Sequence, residues 1–117
     1  MVKVSVVEDF SRTPGPRYIS EGEYSGELFR KTVLLPKVME AQNAAEDIQV
    51  DLDRASGYGT SFLEEAFGGL IREDHISYDF LKDHLIIKSD EDDIYIQEIK
   101  TYMENASLKE SKKKNAR

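Results

Sequence analysis

The chain has 117 residues, a formal charge of −7 and no cysteine. This length suits one domain that buries about two-thirds of its unfolded surface, and the lack of cysteine excludes disulfides, thiolate metal sites and cysteine nucleophiles. The charge is uneven, because residues 107–117 carry a net +4 and the remaining 106 residues carry −11. Such an acidic body would repel nucleic-acid phosphates, so we expect no nucleic-acid partner.

The N-terminal segment predicts two short strands. Valines at positions 2, 4 and 6 alternate with other residues and indicate a strand over residues 2–8. A turn at Pro14-Gly15-Pro16 then leads to a second predicted strand over residues 17–20, paired with the first as a hairpin. The first ten residues lack the basic and apolar regions of a signal peptide, and no stretch reaches the roughly 18 apolar residues of a membrane helix. We therefore expect a cytoplasmic protein without a membrane partner.

A helix is predicted between Ser25 and about Ala45. Ser25 has an N-capping side chain, and apolar residues follow at the spacing of an amphipathic helix. Pro36 lies inside this pattern, where a proline removes a hydrogen bond and clashes with the preceding turn. We expect either a kink near residues 32–35 or a second helix that begins at the proline.

The central part of the chain predicts a strand, a glycine-containing loop and a helix. Residues 48–53 alternate as a strand, and residues 54–60 form the loop. The pattern Ser61-x-x-Glu64 predicts a capping box at the start of the helix. The pair Gly68-Gly69 inside the helix costs about 1 kcal/mol per glycine relative to alanine, which indicates close packing of this helix on a sheet.

The last third predicts a short helix over residues 76–82, a strand over 84–88 and a final helix opened by Ser89-x-x-Asp92. The resulting order is β-β-α-β-α-α-β-α, which is typical of a single α/β domain with a mixed, partly parallel sheet and helices packed on it. We assign residues 1–106 to this domain. Residues 107–117 are lysine-rich without apolar periodicity, so we expect a disordered basic tail.

The loop from Arg54 to Ser61 is the most informative segment for function. Ligands and partners of open α/β sheets contact the loops at the carboxyl ends of strands, and this loop combines two glycines, three hydroxyls and a helix start that can favour an anion or a phosphoryl group. It carries one cation and no acid. In the simpler alternative the glycines only make the turn. Tyr58 either packs back onto the sheet or is exposed as a binding anchor.

The chain resembles the STAS-like bacterial domain family of unknown function. The resemblance covers roughly residues 12–106 and rests on the runs GPRY (15–18), YSGELFR (24–30), VDLD (50–53) and GYGTSFLEEAFGGL (57–70). It implies a fold similar to the anti-sigma-factor antagonists and the STAS domains of anion transporters. Such domains have four or five strands and no enzymatic activity.

The resemblance also implies where a partner would bind. The antagonists carry an Asp-Ser-Ser-Gly motif at the start of the helix after the central strand, and a Ser/Thr kinase with a GHKL-type ATPase fold phosphorylates its first serine. Thr60 aligns with that serine and Ser61 follows it, whereas Gly59 and Phe62 replace the motif's Asp and Gly. The phosphorylation candidates are therefore Thr60 and Ser61. The predicted binding surface comprises Arg54, Ser56, Gly57, Tyr58, Gly59 and Phe62.

These observations favour a regulatory protein-binding module whose partner is a GHKL-type ATPase or kinase. One alternative is a sensor that binds a nucleotide or another anion at the same helix start, and another is an enzyme of unknown type. His75 and His84 are too few for a metal site, and we expect no metal and no cofactor. The sequence leaves the oligomeric state open.

Overall fold

The computed structural model describes residues 1–115, which form a three-stranded sheet with helices. A short 3-10 turn at Ile19–Glu21 lies between the first two helices. The elements, in chain order, are β1 (Val2–Ser5), α1 (Val6–Asp9), α2 (residues 26–44), β2 (Ile48–Asp51), α3 (residues 60–72), α4 (Tyr78–His84), β3 (Leu85–Lys88) and α5 (Ile94–Asn115).

The three strands are all parallel and lie in the order β1-β2-β3. Their register places Val4 opposite Val50 and Val50 opposite Ile87. Side chains alternate between the two faces of the sheet, and the face with the two valines is buried under the helices. The opposite face includes Lys3 and Ile86, which are exposed. The two faces therefore differ in polarity, with the core on one side only.

The expected N-terminal hairpin is wrong. Residues 17–20 form no strand, and their segment joins the start of α2 instead, where the amides of Gly26 and Glu27 donate to the carbonyls of Pro16 and Arg17 at 2.9 and 3.0 Å. β1 is also shorter than predicted, because Ser5 caps α1 with its hydroxyl. Within residues 1–115 the sheet thus has three parallel strands, where we expected four or five in a mixed arrangement.

Helix α2 shows how the chain accommodates Pro36. Ser25 caps the helix as predicted, its hydroxyl accepting a hydrogen bond from the Leu28 amide at 3.0 Å. The helix is not interrupted at the proline, because the turn before it widens into a π-helical segment, Arg30–Leu34. There the Leu35 amide donates to the Arg30 carbonyl, five residues back. Pro36 has no amide to donate, so the hydrogen-bond ladder shifts by one residue upstream of it.

Helix α5 closes the domain by packing along α3. Ile99 and Met103 of α5 are buried in the core with Phe67 of α3. The helix continues to Asn115, so residues 107–115 of the predicted tail are helical, and the last two residues of that tail lie outside the described part of the chain. No helix within residues 1–115 has both the length and the apolar content needed to cross a membrane.

Candidate functional site

The loop after β2 is held in place by the carboxylate of Asp53. This buried side chain accepts hydrogen bonds from the amides of Asp90 and Glu91 at 3.1 and 3.0 Å and from the Lys88 amine at 2.8 Å. Burial alone would raise the pKa of Asp53, but the Glu91 amide and the Lys88 amine outweigh it and lower the pKa below its ordinary value. The ionised carboxylate therefore joins this loop to the segment between β3 and α5.

Arg54 follows in the left-handed region, with φ of 75°. Its guanidinium pairs with Glu8 of α1 at 2.9 Å, and its backbone amide donates to the carboxylate of Glu91. The single positive charge of the loop is thus already paired. The loop is not the locally basic spot that its own composition suggested.

Tyr58 is packed against the protein rather than exposed as an anchor. Its hydroxyl donates to the Leu52 carbonyl at 2.8 Å, and its ring lies edge-on to Tyr95 with a centroid distance of 5.2 Å. Burial and the charge of Asp51 raise the pKa of Tyr58 well above its ordinary value, so the hydroxyl stays a donor. Gly57, with φ of 137°, allows the backbone turn that lets this ring fold back.

Phe62 lies in the core and not on the predicted binding surface. Its side chain is fully buried and stacks on Phe29 of α2 at a centroid distance of 5.8 Å. Close to it, Gly26 of α2 approaches so tightly that a Cβ there would lie 2.5 Å from the Phe62 carbonyl oxygen. Phe62 thus fixes the position of the start of α3 from beneath.

The exposed part of the predicted site is the start of α3. Gly59 is the N-cap residue and offers no capping side chain, and Thr60 and Ser61 are exposed in the first turn. Their hydroxyls form no hydrogen bond to another residue in the part of the chain that the structure describes. Ser56, earlier in the loop, is also exposed, while its amide donates to the Arg12 carbonyl at 2.8 Å.

The predicted capping box is wrong, because the Glu64 side chain is used elsewhere. Its carboxylate accepts hydrogen bonds from Arg72 of the same helix at 2.7 and 3.2 Å and from Arg17 at 2.5 Å. Burial alone would raise the pKa of Glu64, but the two arginines lower it overall. Three charge-assisted hydrogen bonds thus replace the single bond that the Glu64 side chain would accept in a capping box.

Next to Glu64 lies a buried ion pair that the sequence analysis missed. Arg30 of α2 contacts Glu65 at 2.9 Å and Asp74 at 2.7 Å, and the side chains of Arg30 and Glu65 are at most 4% exposed. Burial would lower the pKa of Arg30, but the two carboxylates raise it overall. In the structure Arg30 lies on the buried side of α2 with Phe29 and Leu34. The amphipathic pattern of the sequence did not mark this side, and the two carboxylate partners lie 35 and 44 positions away in the chain, so no local signal indicated the pair.

Two glycines of α3 make room for these ion pairs. A Cβ at Gly68 would lie 2.4 Å from Oε2 of Glu64, and a Cβ at Gly69 would lie 2.6 Å from Nε of Arg30. Both carboxylates lie at the start of a second π-helical segment, Glu64–Gly68, and Arg30 begins the first one. The glycine pair therefore packs against charged side chains, not against the sheet as the sequence analysis expected.

The chain matches the sequence model of a known family over residues 25–95, described as a STAS-like domain of unknown function (DUF4325). This range covers more than half of the chain and includes β2, the loop after it and α3. The chain belongs to this family, as the resemblance in its sequence indicated. No curated protein and no solved structure gives a significant match.

Proposed function

We propose that this STAS-like domain is a non-enzymatic regulatory module that binds a protein partner through the start of α3 and the loop before it. The observation that carries the proposal is the exposed first turn of α3, in which Thr60 and Ser61 make no hydrogen bond within residues 1–115 through their hydroxyls. The exposed neighbours Ser56 and Gly59 extend this surface. A surface whose polar groups the fold itself does not use is free to contact a partner.

The partner class that we propose is a GHKL-type ATPase or kinase, and the proposed switch is phosphorylation of Thr60 or Ser61. A phosphoryl group adds close to two negative charges and three acceptor oxygens at neutral pH. At the first turn of a helix such a group is tolerated by the fold, because the free amides and the helix dipole favour an anion. The same charge would repel an acidic partner surface, so a phosphorylated module would release it.

The experiment combines the purified protein with a GHKL-type ATPase encoded near its gene, with and without ATP. Calorimetry measures the complex, and mass spectrometry locates any phosphate. We expect a complex, and Thr60→Ala and Ser61→Ala should identify the modified hydroxyl. Ser61→Asp should weaken the complex at least about tenfold, which corresponds to about 1.4 kcal/mol.

The matched control is Thr101→Ala, with Thr101→Asp for the charge, because Thr101 is an exposed hydroxyl on α5. Neither control should change the complex by more than about twofold. If the first-turn variants and the Thr101 variants bind equally well, the start of α3 is not the contact surface. If the ATPase leaves both Thr60 and Ser61 unmodified, the proposed switch is wrong while the binding role stands on the calorimetry alone.

A further inference from the structure

Two neighbouring clefts share the side chain of Arg17. The larger has a volume of about 410 Å³, and its lining comprises Arg17, Tyr18, Arg72, Lys109, Glu64, Tyr102 and Asn105. The smaller has a volume of about 340 Å³, and its lining includes Arg17, Glu21 and Ser61. Cavities of this size accept small ligands. Arg17 thus lies between a basic cleft and one of the two exposed hydroxyls at the start of α3.

The larger cleft contains an excess of cations on an otherwise acidic protein. Arg17, Arg72 and Lys109 line it with Glu64 as the one carboxylate. Lys109 has no carboxylate within 4 Å among residues 1–115. The neighbouring Arg17 and Arg72, by contrast, both pair with Glu64. Arg17 and Arg72 also contact Glu65 at 3.7 and 3.3 Å, and Arg72 contacts Glu73 at 3.4 Å. The charge of Lys109 is therefore the one in the lining without a carboxylate partner in the described part of the chain, and it favours an anionic ligand.

Arg17 can change partners without leaving a carboxylate unpaired. Only its Nη1 atom donates to Glu64, and its Nε and Nη2 atoms have no hydrogen-bond partner in the described part of the chain. Arg72 contacts both oxygens of Glu64, at 2.7 and 3.2 Å, and would keep that carboxylate paired if Arg17 moved. The usual penalty for breaking a partly buried ion pair is therefore small at this position.

The remaining polar groups of the cleft are donors as well. Burial and the charges of Glu98 and Glu64 raise the pKa of Tyr102, so its hydroxyl stays protonated and can donate. Asn105 adds a side-chain amide one turn further along α5. A guanidinium, an amine, a phenol and an amide around one space match the several acceptor oxygens of a phosphate group.

We propose that Arg17, with Lys109, Tyr102 and Asn105, forms a binding site for a phosphoryl group, in which Arg17 exchanges Glu64 for the phosphate oxygens. The phosphate can come from a free phosphate ester that enters the larger cleft. It can also come from phosphorylated Ser61 across the smaller cleft, where Arg17 is the member of this set that lines the cleft. Only this second source rests on the proposed function. In both cases Arg72 keeps Glu64 paired.

The first experiment titrates the isotope-labelled protein with inorganic phosphate and with phenyl phosphate at constant ionic strength, followed by NMR. We expect saturable shifts centred on Arg17, Tyr102 and Lys109, with affinities in the millimolar range or tighter. Arg17→Gln and Lys109→Gln should weaken binding at least about tenfold and about threefold. The matched control is Lys112→Gln, an exposed lysine on the same helix that does not line the cleft, and it should bind like the wild type.

The second experiment installs phosphoserine at position 61 and measures the second pKa of its phosphate by phosphorus NMR. A nearby guanidinium favours the dianion, so this pKa should be lower in the wild-type background than with Arg17→Gln. The phosphorylated protein should also bind free phosphate at least about fivefold more weakly, because Arg17 is occupied.

The outcomes separate the two sources of phosphate. If free phosphate binds but the pKa of phosphoserine 61 is the same with and without Arg17→Gln, the site serves a free ligand. If free phosphate does not bind but this pKa differs, the site serves phosphorylated Ser61. Absence of both, or phosphate binding that Arg17→Gln and Lys109→Gln leave unchanged, overturns the proposal. Thermal unfolding checks each variant, and if Arg17→Gln does not fold, Lys109→Gln decides. Failure to find a protein partner would overturn the proposed function but would not affect the phosphate titration.

Discussion

The start and the middle of α3 are built in opposite ways. At its start, Gly59, Thr60 and Ser61 are exposed, and Gly59 offers no capping side chain. In its middle, Glu64 and Glu65 are held by arginines from α2, from α3 itself and from the segment before α2. One helix thus contains a first turn with an exposed side that makes no side-chain hydrogen bonds within residues 1–115, and a second turn held by ion pairs.

This contrast separates stability from binding along a single element. The middle of the helix contains the buried pair of Glu65 with Arg30. Removal of one partner of a buried pair is costly, so substitutions in this pair should act on the free energy of unfolding. The start is supported by packing beneath it, where Phe62 lies in the core in contact with Tyr58. Substitutions on its exposed side should act on binding and leave the fold nearly unchanged.

The largest expected effect is that of Glu65→Gln. Within residues 1–115, the change leaves buried Arg30 with Asp74 as its one carboxylate partner. Loss of one member of a buried pair costs about 3 kcal/mol or more of unfolding free energy. Urea denaturation at neutral pH measures this loss. Lys37→Gln is the control, because Lys37 forms an exposed pair with Glu40 on α2, and it should cost less than about 0.5 kcal/mol. Equal effects of the two variants would show that burial adds nothing to the pair.

Gly69→Ala should be the next most destabilising change. A Cβ at this position would lie 2.6 Å from Nε and 2.9 Å from Cδ of the buried Arg30 side chain. Overpacking of this kind costs about 1–3 kcal/mol, although alanine is the better helix former by about 1 kcal/mol. Thermal unfolding measures whether the overpacking cost exceeds the gain in helix propensity. A variant more stable than the wild type would mean that Arg30 moves aside freely.

Asp53→Asn tests the support of the loop before α3. The amide cannot accept from two backbone amides and Lys88 as the carboxylate does, and we expect a loss of about 1–3 kcal/mol at neutral pH. The control is Asp90→Asn, because the side chain of Asp90 is largely exposed and contacts the same Lys88 amine at 3.0 Å.

The wild type and Asp53→Asn also differ in a defined way with pH. The pKa of Asp53 is lowered in the folded state below its ordinary value of 3.8. The ionised carboxylate therefore makes its full contribution to the free energy of unfolding above the pKa of the unfolded state, and this contribution is lost as the pH falls through the pKa of the folded state. The stability difference between wild type and Asp53→Asn should therefore be constant from about pH 5 upward and shrink below pH 3.8. A difference that persists undiminished at about pH 2 would mean that packing, and not charge, supports the loop.

The features behind these effects differ in how far the sequence alone could predict them. The strand over 48–51, the cap at Ser25 and the family were predictable, because strand alternation, capping chemistry and a specific run of residues are local signals. The partners of Glu64 were not, because Arg17 lies 47 positions away and the local pattern fitted a capping box equally well. The false hairpin has the same origin, since a proline–glycine turn also suits a segment that returns to the start of a helix.

The smallest expected effect concerns the helix start itself. Gly59 is an N-cap residue with φ of −74° and ψ of 154°, and a Cβ added to it would have no atom within 4 Å, so a side chain fits there without strain. Gly59→Ser supplies the missing acceptor for a first-turn amide and should stabilise the protein by a few tenths of a kcal/mol. That gain raises the unfolding temperature by about 1–2 °C.

Gly59→Ala is the matched comparison for Gly59→Ser, because it adds the same Cβ without the oxygen and should lose up to about 0.5 kcal/mol. Differential scanning calorimetry resolves the two variants. If both shift the unfolding temperature equally, capping is irrelevant at this helix start and the first turn is held entirely from beneath, by the aromatic contacts of Phe62. If serine stabilises and alanine does not, the fold forgoes stability at this N-cap. A first turn without a capping side chain keeps its amides free to donate hydrogen bonds to a partner.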